Sequence, residues 1–157
     1  MNDLESLYRQ VIMDHYKNPR NKGLKNEEGY KQIHIKNPSC GDDVTIETKC
    51  DGQRVIDVRH DGTGCSICCS SASVLSEMMI GKNIEDAKKV SINYLNMITN
   101  KEVDETVDLE EAAVYEGVKK YPARVKCASI AWRAFLESIG GEHHEWKRKS
   151  RENSWWL

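Results

Sequence analysis

The feature that most constrains the fold is a stretch of alternating apolar and polar residues between Gly29 and Asp61. Side chains two positions apart lie on one face of a β-strand, so the alternation predicts three strands with one apolar face each. The apolar positions are Ile33 and Ile35, then Val44, Ile46 and Thr48, then Ile56 and Val58. Asp51-Gly52, between the last two runs, is a two-residue hairpin signal. We therefore expect a small antiparallel sheet of about three strands.

On both sides of this stretch the apolar period becomes that of a helix. An amphipathic helix is expected from Asp3 to about Lys17, ending before Pro19. Four further helices are predicted after the sheet: one carrying Cys68, Ala72, Leu75 and Met79, one from about Ile84 to Thr99 with Asn83 as its cap, a shorter one from Asp108 to Val118, and a final one from near Pro122 to Gly140. A sheet followed by helices indicates an α+β fold.

The length of 157 residues fits one domain with a substantial core. We expect residues 1–141 to form that domain and residues 142–157 to be a charged tail containing Trp146, Trp155 and Trp156. The sequence leaves open whether this tail docks as a helix, stays loose or contacts a partner.

The charge balance argues against a nucleic acid or an anionic membrane as partner. Lys and Arg number 23 and Asp and Glu number 25, giving a net charge of -2. No apolar run approaches the roughly 18 residues of a membrane span, and the first residues do not resemble a signal peptide. We therefore expect a cytoplasmic protein, in which the six cysteines favour metal binding or thiol chemistry over disulfides.

Three widely separated cysteines can meet at one end of such a domain. Cys40 lies in a loop between strands, Cys65 at a turn that leads into a helix, and Cys127 in the first turns of the last helix. Helix N-termini favour thiolates because their free amides and dipole stabilise negative charge. Asp42 follows Cys40 after one glycine, so its carboxylate can supply a fourth ligand. Four such ligands suit tetrahedral Zn²⁺ or the iron of a cluster, although spacing alone does not establish a metal site.

Cys68 and Cys69 admit more than one interpretation. They can fill helix positions as small buried side chains. Cys68 also shares a helix face with Cys65, so it could substitute as a ligand or form a disulfide. A dithiol oxidoreductase is disfavoured because no βαβ pattern precedes the pair.

Four motifs carry a resemblance to a known family. They are DHYKNPRN (14–21), NPSCGDD (37–43), GTGCSI (62–67) with SAS (71–73), and YPARVKCA (121–128). In order, over about residues 3–139, they resemble the SufU branch of the IscU/NifU-N family of iron-sulfur cluster assembly proteins. Scaffold members carry His where this chain has Lys126, and a Leu-Pro-Pro-Val-Lys motif where it has YPARVK. These departures favour the SufU branch, and so does the long segment between Cys65 and Cys127. One feature departs from that branch, whose members usually lack thiols at the positions of Cys68 and Cys69.

The resemblance implies a compact α+β fold and a zinc-dependent sulfurtransferase-type activity, in which persulfide sulfur is accepted from a cysteine desulfurase (SufS-like). By the same resemblance the zinc ligands are Cys40, Asp42, Cys65 and Cys127, and the sulfur acceptor is Cys40, with Cys127 as the alternative. Other iron-sulfur assembly proteins are implied partners. Two further hypotheses remain: a scaffold that assembles a [2Fe-2S] cluster on the same ligands, and a zinc-bound interaction module without chemistry.

Nearby cations complete the expected site. Three thiolates and a carboxylate exceed the charge of a divalent cation, and Arg124 and Lys126 can offset the excess. We expect Arg124 to act in catalysis by donating a hydrogen bond to a ligand sulfur.

Overall fold

The structure is a computed structural model that describes residues 3–37 and 41–140. The elements in chain order are α1 (Asp3–Lys17), β1 (Tyr30–Asn37), β2 (Asp42–Cys50), β3 (Val55–Thr63), α2 (Ser66–Met79), α3 (Ile84–Ile98), a 3₁₀ helix (Glu110–Lys120) and α4 (Pro122–Ser138). The predicted α+β fold with a three-stranded antiparallel sheet is confirmed. The predicted boundary at residue 141 and the tail 142–157 lie outside the described residues. No helix of the described ranges has the length and apolar character needed to cross a membrane.

The register of the sheet determines which loops become neighbours. The strands pair in chain order, with Asn37 opposite Asp42 and Asp43 opposite Thr63. The connection from β1 to β2 and the residues that follow β3 therefore lie at the same end of the sheet. This register brings the start of β2 next to the start of α2.

The connection between β2 and β3 differs from the predicted two-residue hairpin. Residues 51–54 form the loop, and the Asp51 carboxylate accepts hydrogen bonds of 3.0 and 2.8 Å from two of its amides. A register irregularity at the end of β2 accompanies this longer loop. As a result Val55 and Val58 are buried, whereas Ile56, predicted on the apolar face, is 45% exposed.

The central element of the core is α2. All side chains from Ser70 to Ser76 are buried, because α2 packs against α1, α4, β3 and the 3₁₀ helix. Four of these seven residues are serines, whose small side chains permit close packing. Their hydroxyls bond back to the preceding turn, as Ser71 does to the Cys68 carbonyl at 3.0 Å. The enclosed helix gives its N-terminus a fixed position.

An aromatic cluster joins the later helices to α2. The Tyr94 and Trp132 rings stack with centroids 3.9 Å apart, and the Tyr94 hydroxyl donates to the Ala128 carbonyl at 2.8 Å. Tyr115 packs edge-on against Tyr94, and its hydroxyl lies 2.6 Å from Ser70 Oγ. Stacked and edge-on pairs add to the free energy gained from burial. The cluster thus holds the first turns of α4 against α2.

His15 attaches α1 to this core. Its ring is 1% exposed, its Nδ1 lies 2.8 Å from Ser73 Oγ, and its Nε2 contacts the Glu111 carboxylate. Ser73 Oγ also accepts a hydrogen bond from the Arg20 amide at 2.8 Å. One side chain therefore connects α1, α2 and the 3₁₀ helix.

We predict that His15→Ala lowers the free energy of unfolding by about 2–3 kcal/mol, because it removes buried hydrogen bonds and leaves a void. The matched control is His34→Ala, since His34 is exposed although it also pairs with a carboxylate, that of Asp43 at 2.5 Å. The control should change the free energy by less than about 0.5 kcal/mol. Urea unfolding followed by circular dichroism measures both. Equal losses of unfolding free energy in the two variants would show that the burial of His15 does not add to stability.

Candidate metal centre

Asp42, Cys65 and Cys127 meet at the end of the sheet described above. Their ligand atoms, one carboxylate oxygen and two sulfurs, all lie within 4.8 Å of one another. Asp42 is 1% exposed and Cys127 4% exposed, while Cys65 is half-buried. The structure thus brings three of the four predicted ligands together, and Cys40 lies outside the described residues.

Backbone geometry places the first two ligands side by side. Asp42 is the first residue of β2, and Cys65 is the N-cap of α2, in an extended conformation with φ -72 and ψ 172. The Cys65 amide donates a hydrogen bond to Asp42 Oδ1 at 3.2 Å. This bond uses one of the amides that a helix N-terminus leaves without an intrahelical acceptor.

Gly64 leaves the space that the Asp42 carboxylate occupies. A Cβ at Gly64 would lie 2.6 Å from Asp42 Oδ1, which is closer than such atoms pack, and would make a tight contact of 3.1 Å with Cys68 Sγ. The requirement for glycine is therefore steric. The sequence predicts Gly64 only as a turn residue, because its steric role depends on a contact with the distant residue Asp42.

The site favours a thiolate on Cys65. The pKa of Cys65 is lowered to about 6, first because the Cys127 thiol donates a hydrogen bond to its sulfur, and then because the Cys68 and Ile67 amides face it. Burial and the Asp42 charge act in the opposite direction. The same hydrogen bond, together with burial, raises the pKa of Cys127 far above its usual value. At neutral pH the metal-free pair is therefore one thiolate and one thiol.

The remaining cysteines occupy different surroundings. Cys68 is 0% exposed, one turn of α2 beyond Cys65. The Cys69 thiol donates to the Gly64 carbonyl at 3.5 Å, and burial raises its pKa. Cys50 ends β2, as predicted for a strand residue.

Arg124 lies at the edge of the site. It is exposed in the first turn of α4 and lines an open groove of about 500 Å³ between α1, α2 and the 3₁₀ helix. Ser66 and Ile67, which follow Cys65, line the same groove. The cation is thus near the ligand cysteines in the fold, and its donation to a ligand sulfur stays a prediction.

A second group of ligand-type side chains consists of His15, Glu77 and Glu111. Both ring nitrogens of His15 are hydrogen-bonded, and Glu77 lies 3.5 Å from the Arg20 guanidinium. These contacts fasten α1 to its neighbours, and we interpret the group as structural.

The donor set at Asp42, Cys65 and Cys127 fits a zinc ion. Zn²⁺ binds thiolate sulfur at about 2.3 Å and carboxylate oxygen at about 2.0–2.2 Å, so ligand atoms within 4.8 Å of one another need only small movements to close around it. A fourth ligand would complete a tetrahedron.

We predict that alkylation of Cys65 by iodoacetamide in the metal-free protein rises with an apparent pKa of about 6, because the thiolate is the reactive form. Cys50, which is similarly exposed but has its pKa raised by burial and by Asp51, is the internal control and should react only at higher pH. Peptide mass spectrometry after short pulses between about pH 5 and 9 measures both. Parallel pH profiles for the two thiols would contradict the proposed hydrogen bonding.

We predict that Gly64→Ala weakens Zn²⁺ binding at least about tenfold and costs about 1–3 kcal/mol of stability, because the methyl group displaces the Asp42 carboxylate. Gly117→Ala is the control, since a Cβ there meets no atom within 4 Å. It should leave the affinity unchanged and shift stability by about 0.5 kcal/mol or less. Competition with a chromophoric chelator measures affinity, and unaltered binding by Gly64→Ala would refute the steric requirement.

Comparisons with known proteins show the family of this chain. The family described as NifU-like N terminal domain matches residues 7–128. The zinc-dependent sulfurtransferase SufU of Bacillus subtilis (strain 168) is 44% identical over 140 residues, covering 89% of this chain and 94% of the relative. The scaffold protein IscU of Streptococcus pyogenes serotype M1 is 33% identical, covering 88% and 86% of the two chains.

A solved structure gives the same result for the fold. A putative iron-sulfur cluster assembly scaffold protein for the SUF system, from Fervidobacterium islandicum AW-1, superimposes with a TM-score of 0.75 at 35% identity. The match covers 86% of this chain and 98% of that one. The resemblance inferred from the four motifs is confirmed, and the chain belongs to the SufU branch of the NifU-like N-terminal domain family.

Proposed function

We propose that this protein accepts persulfide sulfur from a cysteine desulfurase for iron-sulfur cluster assembly, at a zinc site formed by Cys40, Asp42, Cys65 and Cys127. The observation that carries the proposal is the convergence of Asp42, Cys65 and Cys127 within 4.8 Å, in a chain 44% identical to a zinc-dependent sulfurtransferase. Bound Zn²⁺ would supply positive charge that keeps cysteines deprotonated at neutral pH.

Chain geometry supports Cys40 as the fourth ligand. It is two residues from Asp42, so the two α-carbons are at most about 7 Å apart in any conformation. Asn37 and Asp42 are paired across the loop, and the Gly41 amide donates to the Asn37 carbonyl at 3.0 Å. Gly41 has φ 75, which glycine adopts at little cost.

Cys40 is also the better acceptor of sulfur. Its thiolate would attack the outer sulfur of the desulfurase persulfide, the sulfur–sulfur bond would break, and the desulfurase cysteine would leave as a thiolate. Cys127, the alternative acceptor, is 4% exposed, so it is shielded from a partner's persulfide. Arg124 and Lys126 would offset the negative charge of the reacting thiolates.

The second candidate is a scaffold that assembles a [2Fe-2S] cluster on the same four ligands. The 33% identity to the Streptococcus pyogenes scaffold and the 35% identity to the Fervidobacterium protein favour it. Lys126, in place of the histidine found in scaffold members, favours sulfur transfer instead.

We also propose a cytoplasmic location and other iron-sulfur assembly proteins as partners. The zinc-dependent sulfurtransferase and the scaffold protein named above support the choice of partners.

We expect freshly purified protein to contain one zinc per chain, and both Cys40→Ala and Asp42→Ala to contain less. Cys50→Ala is the control, because Cys50 lies at the other end of β2, and it should keep its zinc. After incubation with a cysteine desulfurase and cysteine, intact mass should rise by one sulfur atom in wild type and Cys50→Ala, but not in Cys40→Ala.

Elemental analysis and mass spectrometry distinguish the alternatives. Iron with acid-labile sulfide and a visible chromophore would make the scaffold the better description. Bound zinc without uptake of sulfur would support the third hypothesis, a zinc-bound interaction module without chemistry. Absence of metal from the wild type would reject the four-ligand site.

A further inference from the structure

We propose that Cys68 is a reserve metal ligand, which takes the position of the Asp42 carboxylate when that carboxylate is removed from the metal. This inference rests on the metal site of the proposed function. It assigns a role to a thiol that the four-ligand set leaves unused.

The first observation is position. Cys68 Sγ and Cys68 Cβ lie 3.1 and 3.2 Å from the point where a Gly64 Cβ would be, and Asp42 Oδ1 lies 2.6 Å from that point. The thiol and the carboxylate therefore both border the space that a side chain at residue 64 would fill. No side chain of residue 64 stands between them.

The second observation is the pairing of Cys68 with Cys65. Cys65 is the N-cap of α2, and Cys68 lies three residues further on, in the first turn of the helix. Two cysteines separated by two residues are a usual chelating pair of zinc sites. The Cys68 amide already faces the Cys65 sulfur, which confirms that residue 68 borders the site.

The donor chemistry favours the exchange. A thiolate and a carboxylate carry the same charge, so replacing one with the other leaves the charge of the loaded site unchanged. Zn²⁺ and Co²⁺ both accept sulfur-rich tetrahedral sets. As with other cysteine ligands, Cys68 would lose its proton to solvent when it binds.

The surroundings of Cys68 explain why it is held in reserve. Its side chain is 0% exposed and lies close enough to Tyr94 and Tyr115 to affect their ionisation. Within the described residues, the ligand atoms that converge within 4.8 Å belong to Asp42, Cys65 and Cys127, and Cys68 is not among them. A change in its side-chain torsion toward the space of Asp42 is needed before it can bind.

Co²⁺ is the probe, because the intensity of its thiolate charge-transfer absorption reports the number of bound sulfurs. Purified full-length protein is titrated as wild type, Asp42→Ala, and Asp42→Ala combined with Cys68→Ser. In Asp42→Ala we expect Co²⁺ to bind more weakly than in wild type, because Cys68 must first change its side-chain torsion. Absorption per bound Co²⁺ should nevertheless be about one third above wild type, as four sulfurs replace three. Adding Cys68→Ser should remove this gain and weaken binding at least tenfold.

The matched control is Cys69→Ser in the Asp42→Ala background. It removes the adjacent thiol, which bonds to the Gly64 carbonyl, and should preserve both the gain and the affinity. Cys68→Ser alone should leave the wild-type spectrum unchanged. Asp42→Asn replaces Asp42→Ala if the alanine variant fails to fold by circular dichroism, since its shape is that of aspartate.

Each remaining outcome is decisive. Equal absorption in Asp42→Ala with and without Cys68 would overturn the reserve role and leave the proposed function intact. Loss of the gain with Cys69→Ser instead would show that Cys69, and not Cys68, is the reserve ligand. A wild type that binds no Co²⁺ would reject the metal site and the reserve ligand together.

Discussion

The register of the three-stranded sheet is the constraint on which the site depends. Because Asp43 pairs with Thr63, the first residue of β2 stands beside the N-terminus of α2, and the Cys65 amide reaches the Asp42 carboxylate. A shift of one residue would turn Asp42 to the opposite face of the sheet. The buried residues Val44 and Ile46 oppose such a shift, so the apolar core fixes the position of a polar site.

Packing behind the site provides its rigidity. The serines of α2 allow neighbouring elements to approach closely, and the stacked Tyr94 and Trp132 rings hold α4 through the Ala128 carbonyl. A helix enclosed in this way cannot move without breaking several buried hydrogen bonds, each of which is costly to lose. The predicted ligands Cys65 and Cys127, at the starts of α2 and α4, therefore keep their spacing, which would reduce the entropy lost if the site took up zinc.

The sequence predicts what depends on local pattern. Alternation placed Val44 and Ile46 in the core, and Asn83 caps α3 as expected, accepting a hydrogen bond from the Glu85 amide. The exposure of Ile56 is not predicted, because it depends on the longer loop at Asp51 and on the register irregularity at the end of β2, which the alternation of residues does not reveal. The segment Glu110–Lys120, expected as a short helix from Asp108 to Val118, is a 3₁₀ helix. The steric role of Gly64 depends on a contact with residue 42, which no local pattern contains.

The hydrogen bond from the Cys127 thiol to the Cys65 sulfur would make metal binding at the proposed site depend on pH. Since Cys127 retains its proton at neutral pH, loading must expel that proton, and occupancy becomes a function of acidity as well as of free metal. Each unit of acidification would lower the apparent affinity by about tenfold per expelled proton. Loading of the proposed zinc site would therefore become less favourable as the solution is acidified.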